Sequence, residues 1–96
     1  EPWTKMIAKY FPDHRADTFS YEAMGGALAV IEALKQAGPD LTRDKFIGAM
    51  ESITDFQSGI LNTPITFSAD NHAGVNGGAM IAYRDGKPTV LKTWSE

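Results

Sequence analysis

Two histidines, His14 and His72, are the imidazoles of this 96-residue sequence and its first candidates for metal ligation. Each stands in a polar stretch with no second ligand at the spacing a metal site requires, so both read as solvated or loop-ordering side chains. Serines are plentiful. None lies in a G-x-S-x-G elbow, and no Ser, His and Asp set can be picked out by sequence context, so nucleophilic catalysis is not expected. There is no cysteine, which excludes disulfide scaffolds, Cys-ligated zinc and thiol chemistry. Acid pairs such as Asp13 with Asp17 are what a solvated loop contains. The run from Gly74 through Val75, Asn76 and Gly77 to Gly78 has the composition of a phosphate cradle. It lies ahead of a strand, whereas such loops work between a strand and a helix, so a flexible turn is the better reading. These residues assign no catalytic group, no metal and no cofactor. The aromatics Trp3, Tyr10, Phe11, Phe19 and Tyr21 gather near the start, where they could line a ligand pocket, although core packing is the commoner use of such residues.

Formal net charge is -3 and the lysines and arginines are scattered singly. No basic stripe points to nucleic acid and no polybasic run to an anionic membrane. No apolar run reaches the roughly 18 residues of a membrane span. The absence of cysteine leaves the compartment open. The sequence begins at Glu1 without a methionine or a signal-peptide pattern, and that beginning reads as a cut.

Three helical patterns precede a β-rich tail. Trp3, Met6, Ile7, Tyr10 and Phe11 fall at helical spacing before Pro12 stops the helix. The second helix covers residues 19–38, with Asp17, Thr18 or Ser20 as its cap and Gly38-Pro39 as its close. Its Ala23, Met24, Ala27, Leu28, Val30, Ile31, Leu34 and Ala37 spread over more than half the circumference, which calls for neighbours on several sides. Gly25 and Gly26, each costing about 1 kcal/mol against alanine in a helix interior, imply a close partner. A 96-residue chain hides roughly 60 to 70% of its unfolded surface, too little to cover such a helix fully. A third helix runs over residues 43–53 behind the cap Thr42, with Phe46, Ile47, Met50 and Ile53 as one stripe. Residues 63–68 predict a short strand, residues 68–78 a turn-rich loop, and residues 79–94 two strands around Asp85-Gly86, a strong hairpin signal. The fold class is therefore α/β, with residues 1–62 as a helical part and 63–96 as a terminal strand and hairpin. Neither part makes an independent complete domain.

The order of these pieces is distinctive. Ser20-Tyr21-Glu22-Ala23 opens an alanine-rich helix that closes at Ala37-Gly38. Leu41-Thr42 and a short helix ending Met50-Glu51-Ser52-Ile53 follow. Then come Asp55-Phe56, Gly59, Pro64-Ile65-Thr66-Phe67-Ser68, His72-Ala73-Gly74 and a hairpin around Asp85-Gly86-Lys87. Over residues 17–94 this resembles the C-terminal portion of the periplasmic solute-binding proteins of ABC importers, in the Leu/Ile/Val-binding family of type I topology. The opening Tyr-Glu-Ala stands where many relatives have Tyr-Asp-Ala, a neutral change. The family's N-terminal strands, most of its cleft residues and its export signal have no counterpart in this sequence.

The resemblance implies a C-terminal fragment of a two-lobed α/β binder that closes on a small solute. That solute would be an amino acid, an amide or an aromatic acid, passed to a membrane permease in the periplasm, with no enzymatic step. The missing neighbours of the second helix would be the remaining part of the parent chain or a second copy. It also singles out Tyr21 as a ligand-binding residue, because helix starts at the rim of a lobe face the cleft of such a binder. A competing expectation is a stand-alone α+β interaction domain that homodimerises through its apolar helix.

Overall fold

The computed structural model describes residues 2–95, and Ser95 by its backbone only; Glu1, where the sequence reads as cut, and Glu96 lie outside the described residues. Three helices, α1 (Pro2–Tyr10), α2 (Thr18–Ala37) and α3 (Arg43–Glu51), precede an antiparallel hairpin of β1 (Gly77–Arg84) and β2 (Lys87–Ser95). The fold class is mixed α/β, as expected.

Local chemistry sets the helix ends. Pro2 occupies the first position of α1, where its missing N–H costs nothing. Asp17 caps α2: its carboxylate accepts from the backbone N–H of Ser20 at 2.9 Å, and the Ser20 hydroxyl reaches back to the Asp17 N–H to complete a capping box. Gly38 leaves the helix at φ 77°, a conformation that suits a residue without Cβ, and its N–H reaches the Leu34 carbonyl at 3.2 Å. Thr42 caps α3 by accepting from Lys45 N–H, and the Lys45 ammonium binds the Asp40 carbonyl at 2.9 Å.

The core joins α2, α3 and the segment after them. Ala29, Ala33, Ala49, Ile53 and Ile65 are buried together, with Phe46, Met50, Phe56, Leu61 and Phe67 packed around them. The buried strip of α2 is thus Gly25, Ala29 and Ala33, one residue per helical turn. This corrects the sequence-based apolar set, in which Ala29 and Ala33 do not appear. Ala33 is 0% exposed, whereas Val30, Ile31 and Leu34 remain exposed and Phe19 is 79% exposed. Small side chains let α3 and Leu61 approach the α2 backbone closely: a Cβ on Gly25 would stand 2.8 Å from Leu61 Cγ. The larger apolar residues Val30, Ile31 and Leu34 fall away from this strip and stay exposed, with Val30 and Leu34 beside Leu41 and Phe46.

Residues 63–68, expected as a strand, form isolated bridges instead. Their backbone groups are divided among four partners: Ile65 exchanges both bonds with Phe56, Thr66 N–H goes to the Gly74 carbonyl, Phe67 N–H goes to the Ile53 carbonyl, and Ser68 exchanges both with Asn71. No neighbour continues for two successive pairs, so no ladder develops. The hairpin, by contrast, is regular. Asp85 and Gly86 both take positive φ, 52° and 72°, as a two-residue turn of mirror-image type requires. The register shifts once, between Met80 and Ile81. Alternation about that register leaves Ala79, Ile81 and Tyr83 with Pro88, Val90 and Thr93 on one face, without a charge. Arg84, Lys87 and Lys92 share the other with Met80 and Trp94. Overall the molecule measures 51 × 35 × 15 Å, one layer of secondary structure thick, where a self-sufficient domain stacks two.

Candidate functional site

At the N-terminal end of α2 three polar side chains meet: Ser20, His14 and Asp17. Ser20 Oγ lies 2.7 Å from Asp17 Oδ1 and 2.8 Å from His14 Nε2. No Ser, His and Asp set could be picked out by sequence context, and the loop after α1 brings one together. Its proton bookkeeping, however, is that of a cap. A hydroxyl has one proton, and Ser20 donates it to the Asp17 carboxylate, so the His14 Nε2–H must be a donor to Ser20. A general base has to accept that proton. The Ser20 bonds and the neighbouring imidazole hold the Asp17 carboxyl below its ordinary value of 3.8, in that order of importance. The cluster stabilises an anion at a helix N-terminus, where the helix dipole favours one.

Beside this cap a cleft of about 580 Å³ opens between α1 and α2. Met6, Ile7, Tyr10 and Phe11 form one wall, Ala23 and Met24 the other, and His14 with Ser20 the polar end. Two of the aromatics of the sequence thus line a cleft, while Phe19 projects into solvent. Tyr21 is half-buried in the first turn of α2. Its hydroxyl is 2.9 Å from Thr4 Oγ1 of α1, a pairing across 17 residues of sequence that no local pattern announces. A second groove, about 560 Å³, runs between α2 and the base of the hairpin, past Gly26, Ala29, Leu61, Phe67, Ala79 and Ile81.

The remaining candidates serve structure. His72 Nε2 lies 3.0 Å from Glu51 Oε1 and ties the 68–74 loop to the end of α3. Asn71 Oδ1 accepts from the Ala73 N–H, and Ser68 Oγ accepts from the Asn71 N–H, which folds that loop on itself. Gly74, at φ 72°, is buried under the Phe67 ring, and Gly77 opens β1, so the glycine run is a turn feeding a strand. Among the described residues no group of three or more His, Asp or Glu side chains could hold a metal ion, and no helix is long and apolar enough to cross a membrane.

The profile of the periplasmic binding protein family matches residues 1–87, from α1 through the hairpin turn. No curated protein and no solved structure matches the chain. The family binds small solutes outside the cytoplasm and is not an enzyme family. A match over that length takes in the caps, the α2–α3 core and both grooves, and the chain belongs to the periplasmic binding protein family.

Proposed function

We propose that the chain is the C-terminal part of the periplasmic solute-binding component of an ABC importer, of the Leu/Ile/Val-binding group with type I topology. It captures an amino acid, an amide or an aromatic acid and delivers it to a membrane permease. Residues 1–62 then supply helices of one lobe and residues 63–96 its terminal strand and hairpin. The observation that carries the reading is the family match over residues 1–87. The single-layer shape and the uncovered outer face of α2 agree with it, since a lobe needs a second layer on that side.

Tyr21 is the ligand residue of this reading. An aromatic ring with a hydroxyl can cover an apolar solute and still bond its polar end. The test is a thermal-shift screen of the full parent chain with L-leucine, acetamide and benzoate, one probe for each solute class. Tyr21→Phe should weaken binding of the positive probe by about 0.5–1.5 kcal/mol, and Tyr21→Ala by more, with the fold intact. Unchanged affinity in Tyr21→Ala, or a loss of stability equal to the loss of binding, places Tyr21 in the core and refutes its role.

A second reading rests on the exposed apolar face of α2, which a homodimer could cover in a stand-alone α+β interaction domain. A defined dimer of the 96-residue chain with one sharp melt would favour it.

A further inference from the structure

The hydrogen bond between Thr4 and Tyr21 ties the proposed ligand residue to a different helix. Among the described residues it is the one side-chain hydrogen bond that runs from α1 to α2, since the His14–Ser20 bond starts from the loop between them. Each of the two hydroxyls carries a single proton. If Tyr21 donates to Thr4, it has only lone pairs left for a ligand. If Thr4 donates to Tyr21, the tyrosine proton is free to point outward. A carboxylate accepts and cannot donate, so a solute that offers its carboxylate to Tyr21 selects the second arrangement. That arrangement is a chain from Thr4 through Tyr21 to the carboxylate, in which each bond polarises the next.

We infer that Thr4 is a positioning residue for Tyr21, holding its hydroxyl as a donor toward a carboxylate-bearing solute; the inference rests on the reading of Tyr21 as a ligand residue. Thr4 touches no solute itself. It sets the direction of the tyrosine proton, and through it the position of α1 governs the strength of the contact. Fixing a hydroxyl rotor before binding also removes part of the ordering cost that association otherwise carries.

The experiment is a double-mutant cycle in the full parent chain, titrated calorimetrically with L-leucine and with benzoate. Thr4→Val should weaken binding of the probe about three- to tenfold, the range of one net hydrogen bond. Thr4→Ser, which keeps the hydroxyl, should restore it. In the Tyr21→Phe background Thr4→Val should have no further effect, an outcome that a general loss of helix packing would not produce. Melting curves of each variant report folding separately. If Tyr21→Phe weakens binding while Thr4→Val leaves it unchanged, the inference fails and the reading of Tyr21 survives. The inference also fails if Thr4→Val costs the same with and without the tyrosine hydroxyl. If Tyr21→Phe itself changes nothing, both are overturned; if neither carboxylate binds the wild-type chain, the inference fails and the reading of Tyr21 is decided with acetamide.

Discussion

Gly25 and Gly26 are neighbours in the interior of α2, and the structure predicts different outcomes for the same substitution. Replacing a glycine inside a helix by alanine stabilises it by about 1 kcal/mol, because the unfolded chain loses freedom that the helix never used. At Gly26 a new Cβ meets no atom within 4 Å, so Gly26→Ala should gain that amount in full. At Gly25 the same Cβ would stand 2.8 Å from Leu61 Cγ, 2.9 Å from Cδ1 and 3.3 Å from Cδ2. Cγ is the branch point of the side chain, so a rotation of its end does not clear the contact and Leu61 must move as a whole. Overpacking of this kind costs about 1–3 kcal/mol. Set against the helix gain, Gly25→Ala should range from neutral to about 2 kcal/mol destabilising, leaving the two variants about 1–3 kcal/mol apart. With a urea m-value of about 1–1.5 kcal/mol/M for so small a chain, their midpoints should differ by roughly 0.7–3 M. Urea unfolding followed by far-UV circular dichroism, at one fixed protein concentration because association moves midpoints, reads this directly. Leu61→Ala should remove the penalty of Gly25→Ala, giving a favourable coupling between the two sites. Equal stabilisation by Gly25→Ala and Gly26→Ala would refute the packing of Leu61 on the α2 backbone.

The outer face of α2 should drive association of the 96-residue chain, visible as a mass above monomer in light scattering coupled to size exclusion, and Leu34→Glu should reduce it. A monodisperse monomer with a sharp, cooperative melt would refute this and the fragment reading with it. Because Asp17 titrates below its ordinary value in the folded state, its cap contributes above pH 3.8 and is lost as pH falls through the lowered folded-state value. Asp17→Asn, which keeps an acceptor, should flatten that acid limb of α2 helicity, and an unaltered acid limb would refute the cap's role. A Cβ on Gly78 would come 2.6 Å from Trp94 Cζ2, so Gly78→Ala in a Trp3→Phe background should push the indole outward and shift its emission to the red. Unchanged emission would show that Trp94 does not lie over Gly78.

What could be read from the sequence is what depends on residues a few positions apart. The Asp17 and Thr42 caps are contacts between i and i+3, Gly38 ends α2 through the φ that only its own backbone needs, and Asp85-Gly86 specifies a turn by two adjacent dihedrals. Such signals survive without knowledge of any partner, and the helices and the hairpin were therefore legible. The family order of segments is linear information as well, and the match over residues 1–87 agrees with it. Which face of α2 would be buried was not legible. Hydrophobicity favours Val30, Ile31 and Leu34, but the close approach of α3 and Leu61 rewards the absence of side-chain volume, so Gly25, Ala29 and Ala33 face inward. The strand propensity of residues 63–68 yielded to tertiary placement: its backbone hydrogen bonds go to Ile53, Phe56, Gly74 and Asn71 in turn, and no single strand lies alongside it. The meeting of Ser20 with His14 and of Tyr21 with Thr4 depends on how the loop after α1 folds back on α2. The geometry of the candidate site was decided there, because a hydrogen bond across 17 residues of sequence is a property of two helices' placement and not of either helix alone.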